Sequence, residues 1–219
     1  MILNDFWKSD EGNNWFKRNE NEIRKKTLMD ENVIDVIKKY NMNKKNILEI
    51  GCSDGSRLNY MSEEFKDSNY FGIDVSDLAI ESGKKLYKHI NFLNIGANDL
   101  NSLEDNFFDI IIFGHCLMVI DVNIFQKIVS EINRLLKKNG HIFIEDFYDK
   151  EGKRNIEWRH NKNYYCNKFD YSKFFTIFPE YILINRTFMN HESNVNSDKQ
   201  YEFDCIDEVL VLDIIKKFI

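Results

Sequence analysis

Between residues 46 and 147 the chain alternates short apolar runs with stretches of helical period. "NILEI" (46–50), "NYFGID" (69–74), "INFLNI" (90–95), "FDIIIF" (108–113) and "HIFIEDF" (141–147) have the length and near-continuous apolar character of strands buried on both faces. Helices are expected over 56–66 and over 76–88, the latter with Ser76 at its cap. Ile124, Phe125, Ile128, Val129, Ile132, Leu135 and Leu136 share one face of a further helix, which "KKNG" is expected to end with lysines and a glycine. Upstream, 13–27 and 30–40 read as helices, with Asp30 the expected N-cap of the second. Strands alternating with helices predict a mainly parallel sheet covered on both faces. The tail departs from this: "YILINRTFMN" and "CIDEVLVLDII" flank a polar loop (191–200) too weakly patterned for a crossover helix, so an antiparallel pair at one sheet edge is expected. The fold class is α/β in one domain: a helical cap (1–42), a core (45–147), a lid (148–180) and a strand pair (181–219).

Composition narrows the classes. The chain has 219 residues, 43% hydrophobic and 30% charged, with a net charge of −6, which suits one soluble globular domain. The acidic balance argues against non-specific nucleic-acid binding, and no nucleic-acid partner is expected. "MILNDFWKSD" has neither the basic nor the apolar region of a signal peptide. No apolar run approaches the ~18 residues of a membrane span; the strongest, "FFDIIIFGHCLMVI", is broken by Asp109, Gly114 and His115. Cys52, Cys116, Cys166 and Cys205 form no CxxC pair, which suits free thiols in a reducing cytoplasm. A cytoplasmic protein with no membrane partner is expected.

"ILEIGCSDGS" (47–56) ends the first strand and opens a helix, the place where an open α/β sheet holds its ligand. A dinucleotide fingerprint needs glycines at 51, 53 and 56, where this chain has Gly51, Ser53 and Ser56. The spacing keeps Gly51 and Gly55 instead, with Glu49 two residues before the first. Asp74 ends the second strand, 23 residues after Gly51, where an acid can accept both hydroxyls of a ribose. That ribose is common to NAD and S-adenosylmethionine, so the glycine pattern and the antiparallel tail make the choice.

On these residues the chain resembles the class I S-adenosylmethionine-dependent methyltransferases, which have a Rossmann-like seven-stranded sheet. "ILEIGCSDG" looks like their first motif, "YFGIDVSDLAIESGKK" the second, "FFDIIIFGHCLMVID" the fourth, and "INRLLKKNGHIFIEDF" the segment around the fifth strand. The resemblance covers roughly 45–147 and implies S-adenosylmethionine as cofactor, with S-adenosylhomocysteine as product. It assigns Glu49, Gly51, Cys52, Ser53, Gly55, Asp74 and Gly114 to the cofactor. Ser53 replaces the family's middle glycine, and "NIGAND" replaces its usual acid near the adenine, Gly96 falling at that position. Adenine contacts are therefore expected from Ala97, Val75 and Leu78. "DFWKSDEGNNWFKRN" and "EWRHNKNYYCNKFDYSKFF" are similar to segments of methyltransferases of bacterial surface-sugar biosynthesis, including the pseudaminic-acid-associated group. The second segment departs from their pattern at His160 and at Lys168-Phe169-Asp170.

Methyl transfer needs alignment above all, and an alcohol acceptor must also lose a proton near the transition state. His115, just after the fourth strand, is a candidate base, since imidazole titrates near pH ~6.5; its alternative is a cofactor contact or a place against the first turn. His160 is the rival. Glu145, Asp146 and Asp149 cluster after the fifth strand, but no ligand set from another strand accompanies them, so capping is expected and a metal is not. The stretch 153–173 mixes Lys and Arg with aromatics. One reading is a lid over an anionic small molecule or sugar, with Arg159, Lys168, Tyr165, Trp15 and Phe147 on the acceptor; the other is a solvated loop. Arg18 either meets the cofactor's carboxylate or faces water, and Trp15 and Phe16 either cover the cofactor or join the core. The expected activity is O-methylation of an anionic precursor or component of a surface polysaccharide. An RNA or protein methyltransferase and a non-catalytic cofactor-binding regulator are the competing readings.

Overall fold

The computed structural model describes residues 10–42, 45–158, 162, 164–190, 195–197 and 209–218. Strands β1 (Asn46–Ile50), β2 (Asn69–Ile73), β3 (Ile90–Leu93), β4 (Phe108–Gly114) and β5 (Leu136–Phe147) alternate with helices α3 (Ser56–Glu64), α4 (Asp77–Leu86) and α5 (Phe125–Leu135). Helices α1 (Gly12–Ile23) and α2 (Leu28–Lys39) precede them. After β5 come the strands β6 (Lys153–Glu157) and β7 (Tyr165–Lys168), the short α6 (Lys173–Thr176), and then β8 (Tyr181–Asn190), β9 (Val195–Ser197) and β10 (Val209–Lys217). One sheet runs in the order β3-β2-β1-β4-β5-β10-β8-β9, and β6-β7 form a separate antiparallel pair. Strands β1 to β5 are parallel to one another. β10 is antiparallel to both β5 and β8.

The sheet is thus the expected α/β arrangement with an antiparallel C-terminal pair. It gains an eighth strand, because Val195–Ser197 in the presumed loop pairs with β8. Alternate residues of each strand feed opposite cores. Ile47, Ile110, Ile112 and Phe143 pack with Val33, Ile37, Leu58 and Met61 from α2 and α3. Leu48, Ile50, Ile111, Phe113 and Ile142 pack with Phe125, Ile128 and Ile132 from α5.

Two local expectations are corrected. Asp30 is not the N-cap of α2: Thr27 is, and its hydroxyl accepts from the Asp30 N–H at 3.3 Å. Asp30 reaches back to the Thr27 N–H at 2.7 Å, completing a capping box from the third helical position. "KKNG" does not close α5, because Leu136 leaves the helix to pair with Phe108 and begins β5. The left-handed residue there is Asn139, at φ +63°, rather than Gly140. The end of α5 is served by the buried Lys217, whose ammonium donates to the Asn133 and Leu136 carbonyls at 2.8 and 2.9 Å. A cation at a helix C-terminus satisfies those carbonyls and complements the dipole.

Gly83 in α4 shows close approach overriding helix propensity. A Cβ at this position would lie 2.5 Å from the Asp54 carbonyl oxygen and 2.7 Å from the Phe92 ring. Gly83→Ala ordinarily stabilises a helix interior by about 1 kcal/mol. Here it is expected to destabilise by about 1–3 kcal/mol, read as a lower urea midpoint; a raised midpoint would contradict the close packing.

Candidate functional site

The strand order reverses between β1 and β4, and a cleft opens there at the carboxyl ends of β1, β2 and β4. Its floor is the turn after β1. Gly51, Ser53 and Gly55 all take left-handed backbone, at φ +77°, +51° and +80°, which turns the chain within five residues. The Gly51 and Cys52 N–H groups both donate to the Ile73 carbonyl, at 2.9 and 3.0 Å, holding the turn on β2. A Cβ at Gly51 would come within 2.7 Å of Cys116 Cβ, so only glycine leaves this wall open.

Asp74 sits at the end of β2. One carboxylate oxygen accepts the Ser53 N–H at 2.9 Å and the other the Ser76 N–H at 2.8 Å. Burial pushes this carboxyl above its ordinary value while the backbone N–H groups pull it back. Each oxygen keeps acceptor capacity toward the cleft. Val75, Ile95 and Ala97 form an adjacent apolar wall, and Trp15 and Phe16 of α1 with Trp158 cover the cleft from the other side. Glu11, itself buried, ties these covers together: it accepts from Arg18 and, at 3.2 Å, from the Trp158 indole. Asn13 anchors α1 to the start of α4 through Ser76 Oγ at 2.7 Å.

His115 lines the cleft at the end of β4, in left-handed backbone at φ +54°, a conformation a non-glycine residue adopts only when its surroundings impose it. Its N–H donates to the Glu145 carbonyl at 2.8 Å. Its ring packs edge-on to Phe147, with centroids 5.9 Å apart, and its Nε2 lies 3.1 Å from Met29 Sδ and 3.8 Å from Glu145 Oε2. Beneath it Arg57 donates to Asp30 at 2.9 Å, to Glu49 at 3.2 Å and to Glu145. Burial pushes Glu49 up to about 7 against the pull of Arg57, and it raises Glu145 as well. Glu49 Oε2 and Glu145 Oε1 are buried without a hydrogen-bond partner among the described residues.

Of the sequence-predicted residues, the structure brings Trp15, Gly51, Ser53, Asp74, Val75, Ala97, Gly114 and His115 into one cleft. Others lie outside its lining. Glu49 faces Arg57 instead. Gly55 faces Phe92, whose ring a Cβ would meet at 2.5 Å. The Cys52 side chain is buried against Gly72. Leu78 is exposed, and Gly96 is buried away from the lining. Arg18 is outside the lining and is paired with Glu11.

Lys168 stacks its ammonium 4.9 Å over the Phe147 ring, so both stand behind His115 rather than in the cleft. Tyr165 is exposed on β7. Arg159 and His160 lie outside the described residues. Asp146 caps the turn after β4, accepting the Leu117 N–H at 2.8 Å, and Asp149 accepts from Glu151 and Gly152 within its own turn. Sequence reasoning missed Trp158, Cys116, Ser76 and the apolar Ile120 as lining residues, and it missed Arg57 altogether.

A parallel sheet with one order reversal, a glycine-lined turn and an acid at the end of the second strand defines a nucleoside-binding α/β domain. Residues 48–144 match the family model described as a methyltransferase domain. Over that region, somewhat under half of its length, the chain is similar to a methyltransferase domain.

Among similar proteins, an uncharacterised protein of Rickettsia prowazekii (RP028) is 31% identical over 102 residues, 45% of this chain and 41% of that one. The Schizosaccharomyces pombe tRNA N(3)-methylcytidine methyltransferase trm140 is 30% identical over 124 residues, 52% of this chain and 40% of that one. The chain thus spans about two fifths of the length of these curated relatives. In fold it is similar to the Burkholderia thailandensis 1,6-didemethyltoxoflavin-N1-methyltransferase, solved with its acceptor and S-adenosylhomocysteine. The TM-score is 0.67 at 12% identity, over 99% of this chain and 87% of that one.

The cleft fits S-adenosylmethionine on its own chemistry. Asp74 has the acceptors for a ribose diol, and the apolar wall of Val75, Ile95 and Ala97 suits a purine face. Ser53 Oγ is buried with no hydrogen-bond partner among the described residues, a hydroxyl left for a ligand.

The Glu49 carboxyl makes stability depend on pH. Its value in the fold, about 7, lies above the ordinary 4.5, so the folded state holds the proton more tightly than the unfolded chain. The stabilisation is complete below about pH 4.5 and is lost as pH rises through about 7, on the order of 3 kcal/mol in all. Glu49→Gln should flatten that fall. Urea midpoints of both proteins at several pH values check it, and equal slopes would contradict the assignment.

Proposed function

We propose that this chain transfers a methyl group from S-adenosylmethionine to the oxygen of a small-molecule acceptor, with His115 as general base. The observation that carries the reading is the cleft's titratable side chains. Among the described lining residues these are Asp74, His115 and Cys116. Asp74 is held by two backbone N–H groups on the nucleoside side. The Cys116 thiol is pushed well above its ordinary value by burial and points to the Ile50 carbonyl at 3.2 Å. An uncharged thiol so placed neither attacks nor takes a proton. His115 is the one whose ordinary titration range suits a base at neutral pH.

S-adenosylmethionine, when bound, supplies an electrophilic methyl on a sulfonium. The protein's part is to hold the nucleoside through Asp74, Ser53 and the Ala97 wall, to bring the acceptor against His115, and to exclude water with Trp15, Phe16 and Trp158. Excluding water strengthens every polar interaction inside. The acceptor class is an anionic small molecule or sugar precursor of a surface polysaccharide. That choice rests on the likeness of the segments 5–19 and 157–175 to methyltransferases of surface-sugar biosynthesis. The N-terminal helices and the β6-β7 hairpin act as cap and lid of one cytoplasmic domain. Among the described residues no helix is long and apolar enough to cross a membrane.

The second reading, RNA, is favoured by the tRNA-modifying relative alone. S-adenosylhomocysteine release against a panel of anionic sugars, sugar phosphates, nucleotide-activated sugars and tRNA tests both. Turnover on the sugars supports the proposal, and turnover confined to tRNA overturns its substrate. On the active acceptor, His115→Asn should lower kcat by about 10²–10⁴-fold while S-adenosylhomocysteine affinity holds. Unchanged kcat would remove His115 as base.

A further inference from the structure

The mechanism above uses His115 but not the charged group beneath it, and that group is unusual. One guanidinium, Arg57, serves three buried carboxylates from three elements: Asp30 of α2, Glu49 of β1 and Glu145 of β5. Glu145 is the member that also meets a cleft residue, His115. Its Oε2 lies 3.8 Å from His115 Nε2, and its Oε1 is buried with no hydrogen-bond partner among the described residues. A carboxylate oxygen in that condition costs free energy to keep in the fold. The other oxygen of Glu145 faces the imidazole, so an imidazolium there lowers the cost of keeping the buried carboxylate charged.

We infer that Glu145 is a positioning residue for His115: its carboxylate, 3.8 Å from Nε2, pairs with the imidazolium formed in turnover. The inference rests on His115 being the base. Three contacts carry the geometry. The His115 N–H on the Glu145 carbonyl sets the backbone of one residue by the other. The left-handed φ of His115 turns its side chain off the strand while that hydrogen bond persists. Arg57 fixes the Glu145 carboxylate from below, and Gly114 makes room for it, since a Cβ there would collide with the Arg57 guanidinium. The proton leaving the acceptor hydroxyl goes to the His115 imidazole and from there to solvent. Glu145 stays ionised opposite the charged ring while it is held.

Other groups around His115 act with lesser or opposing effect. Met29 from α2 is uncharged, Arg57 from α3 opposes the imidazolium, and Glu49 from β1 and Asp30 from α2 favour it behind Arg57. Lys168 from β7 opposes it across the Phe147 ring. Asp74 and Cys116 share the cleft wall.

The test reads the titration of the ring directly. In the intact protein saturated with S-adenosylhomocysteine, the His115 imidazole signals followed by NMR should titrate about one pH unit above the ordinary value of ~6.5. A buried carboxylate raises the affinity of its partner imidazole for a proton, so removing it lowers that affinity. Glu145→Gln keeps the shape of the Arg57 contact and should bring the titration back down. It should also move the acid limb of the kcat/KM profile to lower pH by about one unit, with S-adenosylhomocysteine affinity within about twofold. A merely structural Glu145 would lower affinity or thermal stability without moving the limb.

If Glu145→Gln does not fold, the wild-type titration decides: a His115 that titrates at or below ~6.5 overturns the pairing. Activity that survives His115→Asn overturns the base assignment and with it the catalytic use of the pair. An unmoved limb in Glu145→Gln, with activity lost in His115→Asn, overturns the pairing alone.

Discussion

The buried guanidinium of Arg57 is the interaction on which the remaining arrangement hangs. It binds Asp30, Glu49 and Glu145, and so joins the N-terminal cap helix, the first strand, the fifth strand and its own helix at one point. Taking such charges out of water is costly, and a buried ionic cluster is weak evidence for net stability. Its service is register. Removing Arg57 would leave three buried carboxylates without their cation, so the four elements keep one relative placement. That placement sets the ends of β1, β4 and β5, where the cleft and His115 lie.

The cap helices follow from the same point. Asp30 completes the capping box of α2 with one oxygen and meets Arg57 with the other. A single residue therefore starts the helix and docks it. α1 is attached differently. Asn13 ties it to α4, Arg24 beyond its end reaches Asp54 at 2.8 Å and Ser82 at 2.8 Å, and Glu11 holds Trp158. The two tryptophans over the cleft are thus fixed by polar contacts at the margin. That suits a cover that must exclude water yet let a nucleoside in.

Much of this was legible in the sequence because the signals are local. Continuous apolar runs gave the five parallel strands, and Ser53 and Ser56 in the glycine turn turned the reading from a dinucleotide toward S-adenosylmethionine. What failed was whatever depended on distant partners. "KKNG" has the composition of a helix end, yet Leu136 is drawn into β5 by Phe108, and the helix carbonyls go to Lys217, 81 residues beyond Leu136. Glu49 reads as a cofactor residue by its motif position; in the fold it answers to Arg57. Arg57 itself, in "GSRLNY", has the look of a solvated helix residue, and no spacing announces three carboxylates from remote segments. The basic stretch after 152 dissolves where it is described: Lys153 pairs with Asp149 at 3.4 Å and Lys168 lies over Phe147.

In the function proposed for this chain, the cleft at the ends of β1, β2 and β4 holds the adenosyl cofactor through Asp74. Calorimetric titration of S-adenosylhomocysteine into the wild type and into Asp74→Asn tests it most directly. Saturable binding at one site is expected in the wild type, with a loss of at least about tenfold in the variant, since a ribose diol bonded to an ionised carboxylate is worth on the order of 1.5–3 kcal/mol per hydrogen bond. Equal affinity in the two proteins, with both folded, would contradict it.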